Sequence, residues 1–442
     1  MIMDKFKKYQ NKKFAIYGMG ITGCSAASTL KNLKAKVFCW DDSSKVRQKI
    51  KKLNFKTNKF WLNKEAIDSI LISPGIDVDK CKIKNYLKKN YSKIITDLDL
   101  FFDLNKKNDI ISITGTNGKS TTCKILEKIF KVAKFNVKTV GNIGKPILNF
   151  NNSKKNYIFI LETSSYQLQY SKIFRSRHAA ILNISPDHLE RHKNLKKYIY
   201  TKSKIFFAQQ KSDFLYLNLK NKYSRTIKRT HKHKKIKSKL VMVDSSKYNF
   251  LLKKINNSYF NNKGNIENLL FAYNIAKNFK IKDKVIIKSI NNFKGLPHRQ
   301  EIIFSNKKVI CINDSKATSF DAALQSLTNY KKIYWILGGL PKAKDKFYFS
   351  KISKNIVKAY IIGNNVPFFV KKIKKNISYT VSKNLINALN QIFKDIKQDK
   401  NKKNTILLSP AAASYDQFKN FEERGNYYKN LIFKKFNQKL YV

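Results

Sequence analysis

Residues 113–122 read Ile-Thr-Gly-Thr-Asn-Gly-Lys-Ser-Thr-Thr. A β-branched run (Ile110, Ile111, Ile113) leads into the two glycines, and Ile125, Leu126, Ile129 and Phe130 follow at helical spacing. Strand, glycine loop, Lys-Ser and helix form the arrangement that holds a nucleotide triphosphate. Gly115 and Gly118 let backbone N–H groups approach phosphate, and the helix N-terminus adds partial positive charge. Lys119 can reach the β- and γ-phosphates, and the Ser120 or Thr121 hydroxyl can ligate Mg²⁺. Thr116 and Asn117 alone separate the glycines, so the loop is shorter than the usual phosphate-loop pattern.

The chain has 442 residues, enough for roughly three domains. No stretch approaches the ~18 apolar residues of a membrane span, and no apolar segment follows the lysine-rich start, so neither membrane insertion nor a secretory signal is expected. The five cysteines are scattered and lack paired spacing, which suits a reducing cytoplasm and argues against a disulfide framework or a zinc site. The formal charge is +63. Nucleic-acid binding is one reading of such a charge. However, the lysines are spread along a chain also rich in Asn, Ile, Phe and Tyr, and no nucleic-acid-binding motif accompanies them. Compositional drift is therefore preferred, with no nucleic-acid partner. The denser run at 225–239 reads as a solvated loop.

Strands and helices alternate throughout, which predicts an α/β fold with mostly parallel sheets. A first segment opens with a strand over 13–17, the turn Gly18-Met-Gly20-Ile-Thr22-Gly23 and a helix through 33. A second strand over 36–40 ends at Asp41-Asp42, placed to meet a ribose. A strand over 69–72 runs into Ser73-Pro-Gly75. In the second segment, a strand over 157–161 ends in Glu162, and one over 179–184 ends in Pro186-Asp-His188. A carboxylate and an imidazole at strand ends beside a phosphate loop suit Mg²⁺ and a γ-phosphate. The third segment, from near residue 300, has strands over 309–313, 333–337, 359–362 and 405–408. Each stops at small or polar residues, so one edge of that sheet should form a binding crevice.

Several blocks together resemble the Mur ligases of peptidoglycan synthesis, specifically the branch that adds D-glutamate. They are Gly115-Thr-Asn-Gly-Lys-Ser-Thr121, Gly141-Asn-Ile-Gly144, Glu162-Thr-Ser-Ser-Tyr-Gln-Leu168, Asn183-Ile-Ser-Pro-Asp-His188, Gly295-Leu-Pro-His-Arg299, Asn313-Asp-Ser-Lys-Ala-Thr318 and Ser409-Pro-Ala-Ala-Ala-Ser-Tyr-Asp-Gln-Phe-Lys-Asn-Phe421. The phosphate loop is shared with folylpolyglutamate synthases. The resemblance implies three α/β domains: a Rossmann-like UDP-binding domain over 1–102, a phosphate-loop ATPase domain over 103–300, and a Rossmann-like amino-acid-binding domain over 301–442. Hinges are expected near 99–108 and 296–303.

It also implies a cytoplasmic, monomeric enzyme that joins UDP-N-acetylmuramoyl-L-alanine to D-glutamate with ATP, through an acyl phosphate. Gly115, Thr116, Asn117, Gly118, Lys119, Ser120, Thr121 and Asn268 (with Asn265 near it) would hold ATP, and Arg299, Asp314 and Lys316 would close onto it. Ser120 and Glu162 would hold one Mg²⁺ and His188 a second. A carbamate on Lys202, or on Lys204 one turn-fraction further, would help ligate the second. Gly18, Gly20, Thr22, Gly23, Asp41 or Asp42, Ser73, Asn142, Thr163 and Ser164 would face the UDP-sugar. Thr318, Lys342, Ser414 and Phe421 would bind D-glutamate. Sister ligases adding another amino acid, a folate-modifying ligase and a nucleic-acid-binding protein are the alternatives.

Overall fold

The computed structural model describes residues 7–62, 66–141, 146–150, 156–342, 345, 347–350, 352–398 and 403–437. It divides into two compact units, residues 1–293 and 294–442.

The first unit contains two parallel sheets. Strands β1 (Lys13–Tyr17), β2 (Lys36–Trp40), β3 (Ser69–Ile72) and β4 (Ile94–Ile95) lie in the order β2-β1-β3-β4. Strands β5 (Asp109–Thr114), β6 (Val137–Gly141), β7 (Ile158–Glu162), β8 (His178–Ile181), β9 (Phe214–Asn218) and β10 (Lys239–Val243) lie in the order β10-β9-β8-β5-β7-β6. In each sheet the strand order reverses beside the strand that feeds a glycine turn: β1 runs into Gly18 and β5 into Gly115. Parallel sheets bind ligands at such reversals, beyond the carboxyl ends of the strands.

The helix Lys119–Val132 buries Ile125, Leu126, Ile129 and Phe130 completely, as its spacing requires. A single apolar cluster runs from Phe14 and Ile16 of the first sheet, through Leu98, Phe101 and Leu104, to Phe159, Leu161 and Leu217 of the second. This shared core explains why the first 293 residues cluster as one unit. The helix Asp97–Leu104 supplies the middle of that core, where the expected hinge begins. A capping box fixes its start: the Thr96 hydroxyl accepts from Asp99 N and the Asp99 carboxylate from Thr96 N.

The Asp99 carboxylate also accepts from Ser171 Oγ and from the backbone N–H groups of Lys172, Ile173 and Phe174, at 2.8–3.1 Å. Its neighbour Asp97 is less well matched. Gln167 Nε2 donates to Oδ2 at 3.1 Å, but Oδ1 has no partner among the described residues. Burial raises the Asp97 carboxyl from 3.8 to about 6. Between about pH 4 and 6 the native carboxyl therefore keeps a proton that the unfolded chain has released. Stability falls as pH rises through that window and stays reduced above it, by ~3 kcal/mol. Asp97→Asn keeps an acceptor for Gln167 and removes the charge. Its stability should change less than the parent's between about pH 4 and 7, by roughly 2 kcal/mol in urea unfolding. Equal changes in the two proteins would contradict this assignment.

In the second unit, strands β11 (Glu301–Ser305), β12 (Val309–Asn313), β13 (Ile333–Gly338), β14 (Ile356–Ile362), β15 (Tyr379–Lys383) and β16 (Asn404–Leu408) lie in the order β11-β12-β16-β13-β14-β15. Only β11 is antiparallel to its neighbour. Trp335, Tyr360, Leu407 and Tyr428 are among its fully buried side chains.

Two expectations need correction. Strand β8 ends at Ile181, short of residue 184, because the chain turns to brace the phosphate loop: Thr116 N donates to Asn183 O at 3.0 Å. The basic run is largely a helix, Ser224–His233, that buries Ser224 and Ile227 and exposes its cations. Lysine and arginine are good helix formers, and one apolar row suffices to anchor them. Among the described residues, no helix is long and apolar enough to cross a membrane.

Candidate functional site

The phosphate loop is held from both sides. Gly118 caps the helix Lys119–Val132 in the left-handed region, at φ 86°. A Cβ there would lie 2.1 Å from Asn268 Oδ1, so glycine lets the helix Lys263–Asn278 approach the loop. On the other side, Asn183 Oδ1 accepts from Asn117 N and Asn183 Nδ2 donates to Asn117 O, at 2.9 and 3.1 Å. The Thr116 hydroxyl accepts from Ser185 N and lies 3.3 Å from the Tyr198 hydroxyl. Lys119 Nζ donates to Gly115 O and Thr116 O at 2.9 and 2.8 Å. Ser120 and Thr121 are both buried, and Ser120 Oγ donates to the buried Glu162 Oε2 at 2.7 Å. Asn265 is occupied locally, donating to Tyr259 O.

Beside this loop lies a cavity of about 670 Å³ lined by Lys119, Ser164, Tyr166, Asp187, His188, Arg191, Lys202 and the loop residues Pro74 and Gly75, among others. Lys202 is fully buried on the helix Leu195–Ser203, and its Nζ donates to the same Gly115 carbonyl at 2.9 Å. Burial first, and the Lys119 charge second, push its ammonium well below the usual lysine range. Lys204 turns elsewhere, donating to Gln169 O and Ser171 O. His188 opens the helix Leu189–His192 with a left-handed backbone, φ 52°. Its Nδ1 lies 3.1 Å from the Tyr166 hydroxyl, and its Nε2 lies 3.4 Å from Asp187.

The donor set suits Mg²⁺. Glu162 and Ser120 present hard oxygen atoms side by side. Mg²⁺ is commonly bound in this way, by one or two carboxylates with substrate phosphates completing the shell.

A second cavity, about 440 Å³, is lined by Gly18, Gly20, Ile21, Thr22, Asp41, Ser73, Pro74, Gly75, Ser164 and Gln167, among others. Gly23 sits beneath the turn, where a Cβ would meet Gly18 O at 2.0 Å. The two aspartates after β2 divide their tasks. Asp41 borders the cavity and accepts from Met19 N at 2.7 Å, while Asp42 is engaged by Tyr17 Oη and Trp40 Nε1 at 2.6 and 3.3 Å. Thr163 is fully buried and pairs with Ser112 at 2.6 Å, so its hydroxyl faces neither cavity. Asn142 lies outside the described residues.

In the second unit, Asp314 is fully buried and accepts from Ser326 Oγ, Ser409 Oγ and Gln300 N at 2.5, 3.0 and 3.2 Å. Burial raises it to about 6. The buried Arg424 guanidinium donates to Ser315 O and Ala412 O, and Ser315 Oγ donates to Phe421 O. These bonds bring the turns carrying Lys316, Ser414 and Phe421 together, with Lys316 Nζ 5.0 Å from the Phe421 ring centre. Leu340 and Ala413 exchange backbone hydrogen bonds at 2.8 and 3.0 Å, setting the Gly338–Lys342 turn beside the 409–414 turn. Thr318 is half-buried, Ser414 is buried and Lys342 is exposed. Sequence reasoning left Tyr166, Arg191 and Arg424 without roles. Each lies in or beside a quoted motif, but the partners that give it a role are distant in sequence.

The Mur ligase middle domain matches residues 113–286. Over 448 residues the chain is 36% identical to the UDP-N-acetylmuramoylalanine--D-glutamate ligase of Rickettsia felis, covering 96% of this chain and 97% of that one. It is 31% identical to the enzyme of that name from Caldicellulosiruptor saccharolyticus, covering 97% and 99%. Among solved structures, its fold is similar to the UDP-N-acetylmuramate-alanine ligase of Thermotoga maritima, with TM-score 0.52, 14% identity and 97% and 99% coverage. It is also similar to a type C pseudomurein peptide ligase from Methanothermus fervidus, with TM-score 0.52, 18% identity and 96% and 100% coverage. With relatives this similar over nearly its full length, the chain belongs to the Mur ligase family, in the branch of the UDP-N-acetylmuramoylalanine--D-glutamate ligases.

Proposed function

We infer that the chain is an ATP-dependent ligase that adds D-glutamate to UDP-N-acetylmuramoyl-L-alanine during cytoplasmic peptidoglycan precursor synthesis. The observation that carries this reading is the cavity beside the phosphate loop that gathers Lys119, His188 and Lys202. It shares Pro74, Gly75 and Ser164 with the glycine-turn cavity, so one elongated ligand could run from nucleotide end to reacting end. The names of the relatives support the choice of substrates.

In this reading, residues 1–102, 103–300 and 301–442 serve the sugar nucleotide, ATP and the amino acid respectively, in a chain that works as a monomer. The turn over 18–23, Asp41 and Ser73 bind UDP, with Asp42 as a support beneath; Ser164 and Asn142 serve the muramoyl end, where Thr163 is a buried support. The loop over 115–121 and Asn268 bind ATP together with Arg299, Asp314 and Lys316. Thr318, Lys342, Ser414 and Phe421 bind D-glutamate, whose two carboxylates suit hydroxyls and an ammonium.

The L-alanyl carboxylate attacks the γ-phosphorus of ATP, giving an acyl phosphate and ADP. A carboxylate is a poor acyl donor, and phosphorylation supplies the leaving group. The neutral D-glutamate amine then attacks the acyl carbon. The tetrahedral intermediate loses a proton from nitrogen and expels phosphate, leaving the amide. Lys119 and the backbone N–H groups of the loop counter charge on the transferring phosphoryl group. Ser120 and Glu162 would hold one Mg²⁺, and His188 and a carbamate on Lys202 a second; bound there, the metal offsets phosphate charge. The depressed Lys202 ammonium favours the neutral amine that a carbamate requires.

The acyl-phosphate route is tested with substrate carrying ¹⁸O in the L-alanyl carboxylate. One labelled oxygen should appear in each phosphate released, and unlabelled phosphate would contradict the route.

A further inference from the structure

One buried side chain grips the wall shared by the two cavities. Pro74 and Gly75 line both cavities and belong to a tight turn after β3, closed by Ile76 N donating to Ser73 O at 3.0 Å. Arg191 reaches this turn from the helix Leu189–His192, which begins directly after His188. Its side chain is only 7% exposed, unusual in a chain whose cations are mostly solvated. Nη1 donates to Gly75 O at 3.3 Å and Nη2 to Ile76 O. Nε donates to Gln169 Oε1 at 2.7 Å, and Asp77 Oδ2 lies 4.0 Å away. The guanidinium stacks 5.3 Å from the Tyr166 ring centre, and the Tyr166 hydroxyl is the group that meets His188 Nδ1.

A chain of contacts therefore runs from the turn at the nucleotide cavity, through Arg191 and Tyr166, to the imidazole at the phosphate loop. Around it, Lys193 Nζ meets Asp79 at 3.1 Å, tying the same two segments a second time, and Tyr170 Oη, just after the helix Ser165–Gln169, accepts from Val78 N at 3.0 Å. We propose that Arg191 is a positioning residue that couples occupancy of the glycine-turn cavity to the placement of His188. The proposal rests on the functional reading above. Arginine suits the task because its planar fork grips two carbonyls and a carboxamide in fixed directions, while its face packs on an aromatic ring. A lysine keeps the charge but has neither the fork nor the face. Displacing a reacting group by ~1 Å can cost up to about 100-fold in rate.

The test is Arg191→Lys. Its kcat should fall roughly 10- to 100-fold, with the KM for ATP unchanged and the unfolding midpoint within a few degrees of the parent. Gln169→Leu leaves the arginine in place, removes one anchor, and should give a smaller loss of the same kind if the first variant folds poorly. A readout without turnover is amide hydrogen exchange with UDP-N-acetylmuramoyl-L-alanine alone. In the parent, this ligand should slow exchange at 73–79 and also at 187–193; in Arg191→Lys it should still bind and slow only the first segment. Undiminished kcat with protection at both segments in Arg191→Lys would overturn the proposal, as would a loss of kcat matched by a loss of fold stability. A parent that binds the sugar nucleotide without protecting 187–193 overturns this inference alone. A parent that does not bind it overturns the functional reading as well.

Discussion

Lys119→Ala should lower kcat by about 10³-fold, ~4 kcal/mol of transition-state stabilisation, while leaving the fold intact. The half-buried ammonium donates to carbonyls of its own loop at 2.9 and 2.8 Å, outside the apolar core clusters. The loop keeps its shape without it, since Asn183 and Ser185 hold it independently. What the variant loses is a positive charge beside the phosphoryl group as negative charge spreads over its oxygens. A second loss follows at Lys202. The Lys119 charge is one of the causes that depress the Lys202 ammonium, so removing it makes the charged form cheaper and the neutral amine scarcer. Steady-state phosphate release and thermal unfolding together separate a loss of catalysis from a loss of fold. A loss under tenfold, or a collapse of the unfolding midpoint, would count against the assignment.

Lys202→Ala should cost about 10²- to 10³-fold in kcat, in line with the removal of one preorganised charged group, and added acetate or formate should restore part of the activity. The position is fully buried and points at Gly115 O, in the wall of the cavity. A carbamate there would place a carboxylate-like group near His188, and a small free carboxylate can occupy the space that alanine leaves. Lys204→Ala is the control, because that side chain bonds Gln169 O and Ser171 O instead. It should stay near parental activity and show no response to acetate. Equal losses at the two positions, or no rescue of Lys202→Ala, would remove the carbamate from the account.

The parts of the site that were legible in the sequence are those written in local signals. The β5 run, the two glycines and the Ile125–Phe130 spacing predict a strand, loop and helix that the structure contains. Most strand ends fall within a residue or two of the sequence reading, because β-branched runs stop where small and polar residues begin. What could not be read depends on distant partners. Whether Asp41 or Asp42 borders the cavity is decided by Tyr17 and Trp40, which take up Asp42. Thr163 is withdrawn by Ser112, 51 residues away. Arg191 gains its meaning from carbonyls more than a hundred residues earlier. The helix at 224–233 hid because its run has few apolar residues to mark a period. The start of the helix Asp97–Leu104 was readable: Thr96 followed three residues later by Asp99 is a capping-box pattern, and it ends where the expected hinge at 99–108 begins.

The most direct test of the central claim is phosphate release from ATP with UDP-N-acetylmuramoyl-L-alanine and one amino acid at a time. Release that requires the sugar nucleotide and D-glutamate, and is not supported by L-glutamate, L-alanine or a diamino acid, is the predicted result. Release with one of those amino acids instead would move the chain to a sister ligase, and none with any of them, from folded protein, would contradict the account.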